Sequence, residues 1–268
     1  TMSIAPPPML QYGPHTEQRL RITLPHGKSG DKQQAPVAVL FHGGYWKQQW
    51  TVDNTPIASI VPDLLAKGFG VVEVEYRRRD DEGGGWPGTN QDALLAINSL
   101  PAVAPDECTA LDLGNVVLIG HSAGGCLVLW LAAQQLNVGL SLVVAVAPVC
   151  DLNEAYHLHV SDEGDAVERY MKCTPENEDG LAQYASASPA ELISDIKAPL
   201  LLTIGTQDVD VPFQMVQDFY EDCLSHRGAD IPLRLLNVNE ADHYNILTSG
   251  HDAWNQVLAE IMDMHTRR

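Results

Sequence analysis

The sequence has little positive charge and no long apolar run. It contains 16 lysines and arginines against 35 aspartates and glutamates, which gives a formal net charge of −19. This excess repels polyphosphates and anionic membranes, so we expect no nucleic-acid or membrane partner. No apolar stretch approaches the roughly 18 residues of a membrane span, and the first ten residues lack the basic-then-apolar pattern of a signal peptide. These absences predict a cytoplasmic protein with a small-molecule substrate and leave its oligomeric state open.

Cysteine is also scarce. The five cysteines are widely scattered and contain no Cys-x-x-Cys pair, which argues against a disulfide framework or a zinc ribbon. His157 and His159 form the only tempting metal-ligand pair, but no third convergent ligand accompanies them. We therefore expect neither a metal ion nor a cofactor.

A glycine-flanked serine lies near the middle of the chain. Residues 116–125 read Val-Val-Leu-Ile-Gly-His-Ser-Ala-Gly-Gly, a run of β-forming residues that ends in Gly-x-Ser-x-Gly. This pattern is typical of a nucleophile elbow, in which Ser122 occupies a sharp turn from a strand into a helix. The N–H groups of the new helix would then face any charge that develops beside the serine. Ser122 is the candidate nucleophile, and the Ala123 amide supplies half of an oxyanion hole.

A second glycine motif follows the buried strand Ala35–Phe41. It reads His42-Gly43-Gly44-Tyr45-Trp46, and such glycine pairs let backbone N–H groups approach a reacting carbonyl oxygen. Gly44 and Tyr45 are the predicted amide donors. We expect His42 to brace this turn rather than to act as a base.

A serine hydroxyl is a poor nucleophile unless a histidine accepts its proton and a carboxylate orients that histidine. In a chain with this elbow the order is serine, acid, histidine. Asp208 follows the apolar strand Leu200–Gly205, and His243 follows the strand Leu233–Val238. We predict a triad of Ser122, Asp208 and His243, with Asp210 as a rival acid.

Apolar strands alternate with helical patterns along most of the chain. Parallel strands need crossover connections, so this alternation predicts an α/β fold with a mostly parallel, doubly wound sheet in a single domain covering residues 1–268. The acidic segment at about 150–198 breaks the alternation and contains the capping-box pattern Ser188-Pro189-Ala190-Glu191. We expect a small helical cap there, behaving as a mobile lid with little core of its own.

Two further features lie near the predicted carboxyl ends of strands. Arg77-Arg78-Arg79 precedes Asp80-Asp81-Glu82, which favours a solvated loop of mutually compensated charges. Large aromatic residues near these strand ends are candidates for pocket walls. We expect Trp46 and Trp86 to contact substrate.

The assembled pattern resembles the α/β-hydrolase superfamily from Ala35 to the last helix. Within it, His42-Gly43-Gly44-Tyr45-Trp46 looks like the His-Gly-Gly-x-Trp signature of kynurenine formamidases, and Tyr12-Gly13 through Gln18 resembles their N-terminal segment. The segment Gly83 to Thr89 is also similar to small hydrolases related to dienelactone hydrolases and prolyl oligopeptidases.

This resemblance implies a serine hydrolase that cleaves a short-acyl ester or an N-formyl arylamide through an acyl-enzyme. Two other hypotheses remain open at this point. The same triad serves lactonases and acyltransferases, and it serves cyclases or eliminating enzymes from which water is excluded. A non-catalytic ligand receptor on this scaffold is the second, although a receptor has no need of a complete triad.

Overall fold

The computed structural model of the protein describes residues 6–25 and 34–267. Its centre is an eight-stranded sheet with the order β1-β2-β4-β3-β5-β6-β7-β8. In chain order the strands are β1 Leu10–Gln11, β2 Arg19–Thr23, β3 Ala35–Phe41, β4 Gly70–Val74, β5 Leu111–His121, β6 Leu140–Val146, β7 Leu200–Gly205 and β8 Leu233–Val238. Strands β3 to β8 pair in parallel, and β1 and β2 add an antiparallel edge beside β4.

Helices connect the parallel strands. The α-helices are α1 Val61–Ala66, α2 Gly88–Asn98, α3 Leu100–Val103, α4 Pro105–Cys108, α5 Ala123–Ala132, α6 Leu152–His157, α7 Ala166–Met171, α8 Glu178–Ala187, α9 Phe213–His226 and α10 Asp252–Thr266. Short 3-10 helices occupy Pro56–Ile60, Pro189–Asp195 and Asn245–Leu247. In the described ranges no helix is long and apolar enough to cross a membrane.

The sheet buries both of its faces. Along β3, Val37 and Val39 join the hydrophobic cluster that contains α5, whereas Ala38 and Leu40 join the cluster that contains α10. Successive side chains of a strand point to opposite faces, so a strand covered on both sides is apolar throughout. The predicted doubly wound, mostly parallel α/β sheet is confirmed.

The functional loops lie where the strand order changes direction. Strand β3 pairs with β4 on one side and with β5 on the other. Connections that leave in opposite directions open a crevice at the carboxyl ends of the two central strands. The loop that begins at His42 follows β3, and Ser122 follows β5, so both predicted motifs meet at this crevice.

The segment between β6 and β7 contains α6, α7, α8 and a 3-10 helix. Its side chains Tyr170, Met171 and Tyr184 are at most 2% exposed, and they belong to the hydrophobic cluster that contains α5. Apolar residues at helical spacing thus turn inward although the segment is acidic overall. The insertion therefore packs on the body of the protein and shares its main core, and the expectation that it behaves as a mobile lid stays a prediction.

Candidate active site

Ser122 lies on a tight turn between β5 and α5. Its backbone adopts φ 56° and ψ −118°, outside both helical and strand geometry. The turn requires glycine on both sides, because a Cβ at Gly120 would lie 2.1 Å from the Gly124 carbonyl oxygen and one at Gly124 would lie 2.1 Å from the Phe41 carbonyl oxygen. The sequence pattern therefore forms the strained elbow geometry, and Ser122 lines a cleft together with His243.

The predicted acid and base are in contact. His243 Nδ1 lies 2.7 Å from Asp208 Oδ2, and the Asp208 side chain is fully buried. The other carboxylate oxygen, Oδ1, accepts the backbone N–H groups of Asp210 and Val211, both at 2.9 Å. Because the carboxylate accepts, Nδ1 of His243 carries the proton, and the lone pair of Nε2 is left for another partner.

Asp210 has different contacts. Its backbone carbonyl accepts the hydroxyl of Tyr45, and its carboxylate lies 3.4 Å from the hydroxyl of Tyr244. Asp210 therefore lines the cleft. Because His243 is hydrogen-bonded to Asp208, Asp208 is favoured over Asp210 as the acid.

The predicted oxyanion amides lie on the two segments that meet at Ser122. Gly44 and Tyr45 have positive φ values of 104° and 49°, and neither backbone N–H donates a hydrogen bond within the described ranges. A Cβ on the preceding Gly43 would lie 2.9 Å from Ser122 Cβ, so this loop packs directly against the candidate nucleophile. Ala123 is the first residue of α5, where the N–H has no intrahelical acceptor.

His42 holds this loop from behind. Its Nε2 lies 2.9 Å from Glu75 Oε1, its Nδ1 lies 2.8 Å from the Gly43 carbonyl oxygen, and its ring stacks on Tyr76. The side chain is fully buried and does not line the cleft. The expectation that His42 braces the turn is confirmed.

Behind His42 lies a buried network of charges. Arg78 donates to Glu75 Oε1 at 2.9 Å, and its other nitrogens pair with Asp81 and Glu17. Burial opposes ionisation of Glu75, but His42 and Arg78 beside it outweigh that effect and lower its pKa. Because Arg78 is only 2% exposed, the expected solvated arginine loop is wrong, although its charges are compensated as expected.

We expect Glu75→Gln to destabilise the fold by about 3 kcal/mol at pH 7, since it removes one of the three carboxylates that pair with buried Arg78, and the one that also faces His42. The folded pKa of Glu75 is below the unfolded value, so its contribution is full at neutral pH and is lost as the pH falls through the folded pKa. Urea unfolding at pH 7 and at pH 4 measures this contribution. The difference in free energy of unfolding between wild type and Glu75→Gln should be smaller at pH 4 than at pH 7. Asp263→Asn, at the half-exposed pair with Arg234, is the control, and it should change the free energy of unfolding little because solvent screens that pair. Equal stability of Glu75→Gln and wild type at pH 7 would contradict the account.

The two tryptophans expected at the pocket lie elsewhere. Trp46 has a positive φ of 55°, and its ring is fully buried and stacks on Tyr170 with 3.9 Å between the ring centroids. Trp86 packs edge-on against Trp130 at 6.1 Å. Neither ring lines the cleft, so their assignment to substrate binding is corrected.

Other residues form the walls of the cleft. The lining residues that the sequence did not identify as part of the site are Lys47, Trp50, Thr55, Pro56, His121, Asp162 and Tyr244. Tyr244 adjoins His243 in the chain and could have been found from that position. No local pattern pointed to Asp162, because it reaches the cleft from the distant insertion.

One group of three potential metal ligands occurs among the residues that the structure describes. Asp208, Asp210 and His243 have ligand atoms within 4.8 Å of one another. However, the facing atoms of Asp208 and His243 already bind each other, and Asp208 Oδ1 accepts two backbone N–H groups. A metal ion would have to break these hydrogen bonds, so the arrangement fits an acid–base pair better than a metal centre.

The sheet order and the serine elbow define an α/β-hydrolase. The BD-FAE family model matches residues 20–223, and the chain belongs to this family. Human acylamino-acid-releasing enzyme is 29% identical over 241 residues, which cover 83% of this chain and 30% of that enzyme. The chain therefore spans about a third of the length of such relatives.

Two further likenesses cover most of both proteins. Kynurenine formamidase of Danio rerio is 25% identical over 88% of this chain and 74% of its own length. Esterase B from Lactobacillus rhamnosis superposes with a TM-score of 0.73 at 17% identity, covering 96% of this chain and 84% of that one. The structural likeness shows a shared fold.

Proposed function

We propose that the protein is a serine hydrolase that cleaves a short-acyl ester or an activated amide of a small molecule through an acyl-enzyme. The observation that carries this proposal is the 2.7 Å contact of Asp208 with His243, which lines the same cleft as Ser122. The names of the relatives agree with it, since acylamino-acid-releasing enzymes, a kynurenine formamidase and an esterase all take acyl compounds.

The chemistry follows from the placement of the groups. His243 Nε2 takes the proton of Ser122 while Oγ bonds to the substrate carbonyl carbon. The amides of Gly44, Tyr45 and Ala123 stabilise the resulting oxyanion. The proton then passes from His243 to the leaving group as the carbonyl re-forms, and water releases the acyl group from Ser122 by the same steps in reverse.

The charge of the cleft restricts the substrate. Asp162 and Asp210 both line it. Lys47 is the only lysine or arginine among the described residues that line the cleft, and its ammonium is paired with Glu163. Burial and the neighbouring carboxylates, Asp210 first, raise the pKa of Tyr45, so its hydroxyl stays neutral. The cleft therefore suits neutral or cationic substrates.

Arginines 77 to 79 do not change this balance. Arg77 is paired with buried Asp92, and Arg79 is 6% exposed and lies beside Asp80. N-formylkynurenine carries a carboxylate that would need a free cation. We therefore propose short-acyl esters and uncharged formyl arylamides as better substrates than formylkynurenine itself.

A comparison of N-formylkynurenine with its methyl ester tests this restriction. Like charges about 4 Å apart cost on the order of 1–4 kcal/mol, so we expect the kcat/KM for release of the formyl group to be at least about fivefold higher for the methyl ester. Asp162→Asn should narrow this gap, whereas Asp230→Asn, an exposed change of equal charge outside the cleft, should not. Equal or faster turnover of the free carboxylate would contradict the proposed selectivity.

A further inference from the structure

We propose that His121 is a positioning residue, which holds the backbone of His243 so that the catalytic ring faces Ser122. This inference rests on the proposed serine-hydrolase function and adds to it a residue outside the triad.

The contact joins the elbow directly to the loop of the base. His121 is the last residue of β5 and immediately precedes Ser122. Its Nε2 lies 2.8 Å from the carbonyl oxygen of His243, across 122 positions of the chain. The two rings lie 4.5 Å apart between centroids, and the residues are 2% and 4% exposed.

The direction of this hydrogen bond is fixed by chemistry. A carbonyl oxygen can only accept, so Nε2 of His121 carries the proton and donates it. Burial lowers the pKa of His121 well below its ordinary value, and charge on His243 or His42 acts in the same direction, which outweighs the opposing effect of the hydrogen bond to the His243 carbonyl. The ring is therefore neutral at neutral pH, with its proton on Nε2.

The other ring nitrogen is not available for catalysis. His121 Nδ1 is buried and has no hydrogen-bond partner in the part of the chain that the structure describes. It lies under the oxyanion loop, since a Cβ on Gly43 would be 3.1 Å away from it. With Nε2 bound to the His243 carbonyl and Nδ1 enclosed, His121 cannot take the proton of Ser122.

Two hydrogen bonds thus hold His243 from different sides. Asp208 fixes the rotation of the ring through Nδ1, and His121 fixes the backbone from which the ring projects. Proton transfer needs the two heavy atoms within about 2.6–3.2 Å. A displacement of about 1 Å costs on the order of 10² in rate, so loss of the backbone anchor should slow the chemistry. Because His121 is neutral, it also adds no charge that opposes the cationic form of His243.

Paired substitutions of His121 test this role. His121→Phe fills the space without a donor, and His121→Gln keeps an N–H at similar reach. We expect His121→Phe to lower kcat and the rate at which a fluorophosphonate labels Ser122 by about 10², with KM within about twofold. His121→Gln should restore both rates to within about threefold of wild type, because the donor is what matters. If His121→Phe does not fold, His121→Leu replaces it, and labelling counts the active sites in every sample.

Ser141→Ala is the matched control. It removes another buried side-chain hydrogen bond to backbone, from Ser141 Oγ to the Val116 carbonyl at 2.7 Å, in the same sheet but outside the cleft. It should lower stability and leave kcat per labelled site unchanged. The inference is overturned if His121→Phe keeps wild-type rates, if His121→Gln fails as fully as His121→Phe, or if only KM changes. If wild type is labelled at Ser122 and the His121 variants keep its rates, only this inference is removed. If wild type is not labelled at all, the proposed function is removed as well.

Discussion

Ser122→Ala should lower kcat by on the order of 10⁶, the cost typical of removing the nucleophile of a serine triad. The expected loss is this large because the two remaining members have no other group to activate: Asp208 only orients His243, and His243 only transfers protons. Steady-state hydrolysis of p-nitrophenyl acetate measures it. The residual rate should come from the oxyanion amides and binding alone.

The fold should survive this substitution. The Ser122 side chain makes no hydrogen bond within the described ranges, and alanine meets the same positive φ that serine already adopts. The melting temperature should therefore stay within a few degrees of wild type. Turnover retained to within tenfold by a folded, uncontaminated Ser122→Ala protein would show that the nucleophile lies elsewhere.

Asp208→Asn should lower kcat by about 10⁴, with little change in KM. The reason lies in the two backbone N–H groups of Asp210 and Val211, which donate to Oδ1. They will hold the carbonyl oxygen of an asparagine in the same place, so its NH₂ must face His243 Nδ1. Nδ1 then has to accept, the ring proton moves to Nε2, and His243 can no longer take the proton of Ser122.

Asp210→Asn is the matched control for that result. It makes the same chemical change two residues away, and the contact of Asp210 with Tyr45 uses the backbone carbonyl, which the substitution leaves intact. We expect less than about a tenfold effect on a neutral ester. If Asp210→Asn were the damaging change and Asp208→Asn the mild one, the assignment of the acid would be wrong.

Features fixed by a short stretch of chain could be predicted from the sequence. The doubly wound sheet followed from runs such as Ala35–Phe41, which are apolar because both faces of the strand are covered. The candidate triad followed from residues that come just after such strands. Gly120 and Gly124 predicted a nucleophile elbow because that turn brings backbone atoms so close to these positions that a Cβ would not fit.

Features that depend on distant partners could not be predicted in this way. Trp46 follows a glycine pair at the cleft, yet its orientation is set by stacking on Tyr170, which comes from the insertion. The acidic neighbours of Arg78 predicted a solvated side chain, but Glu17 pairs with it from a distant segment, and Glu75, three residues earlier, is buried beside it. The helix start predicted at Ser188 is present as a 3-10 helix, but its capping-box hydrogen bond is not, because the Ser188 hydroxyl accepts the N–H of the distant Leu152.

The most direct test of the central claim is covalent labelling with a fluorophosphonate, followed by peptide mass spectrometry. The account predicts one adduct per chain, on Ser122, with loss of esterase activity in proportion to labelling and no labelling of Ser122→Ala. An unlabelled protein that still hydrolyses esters, or an adduct on another residue that abolishes activity, would contradict it.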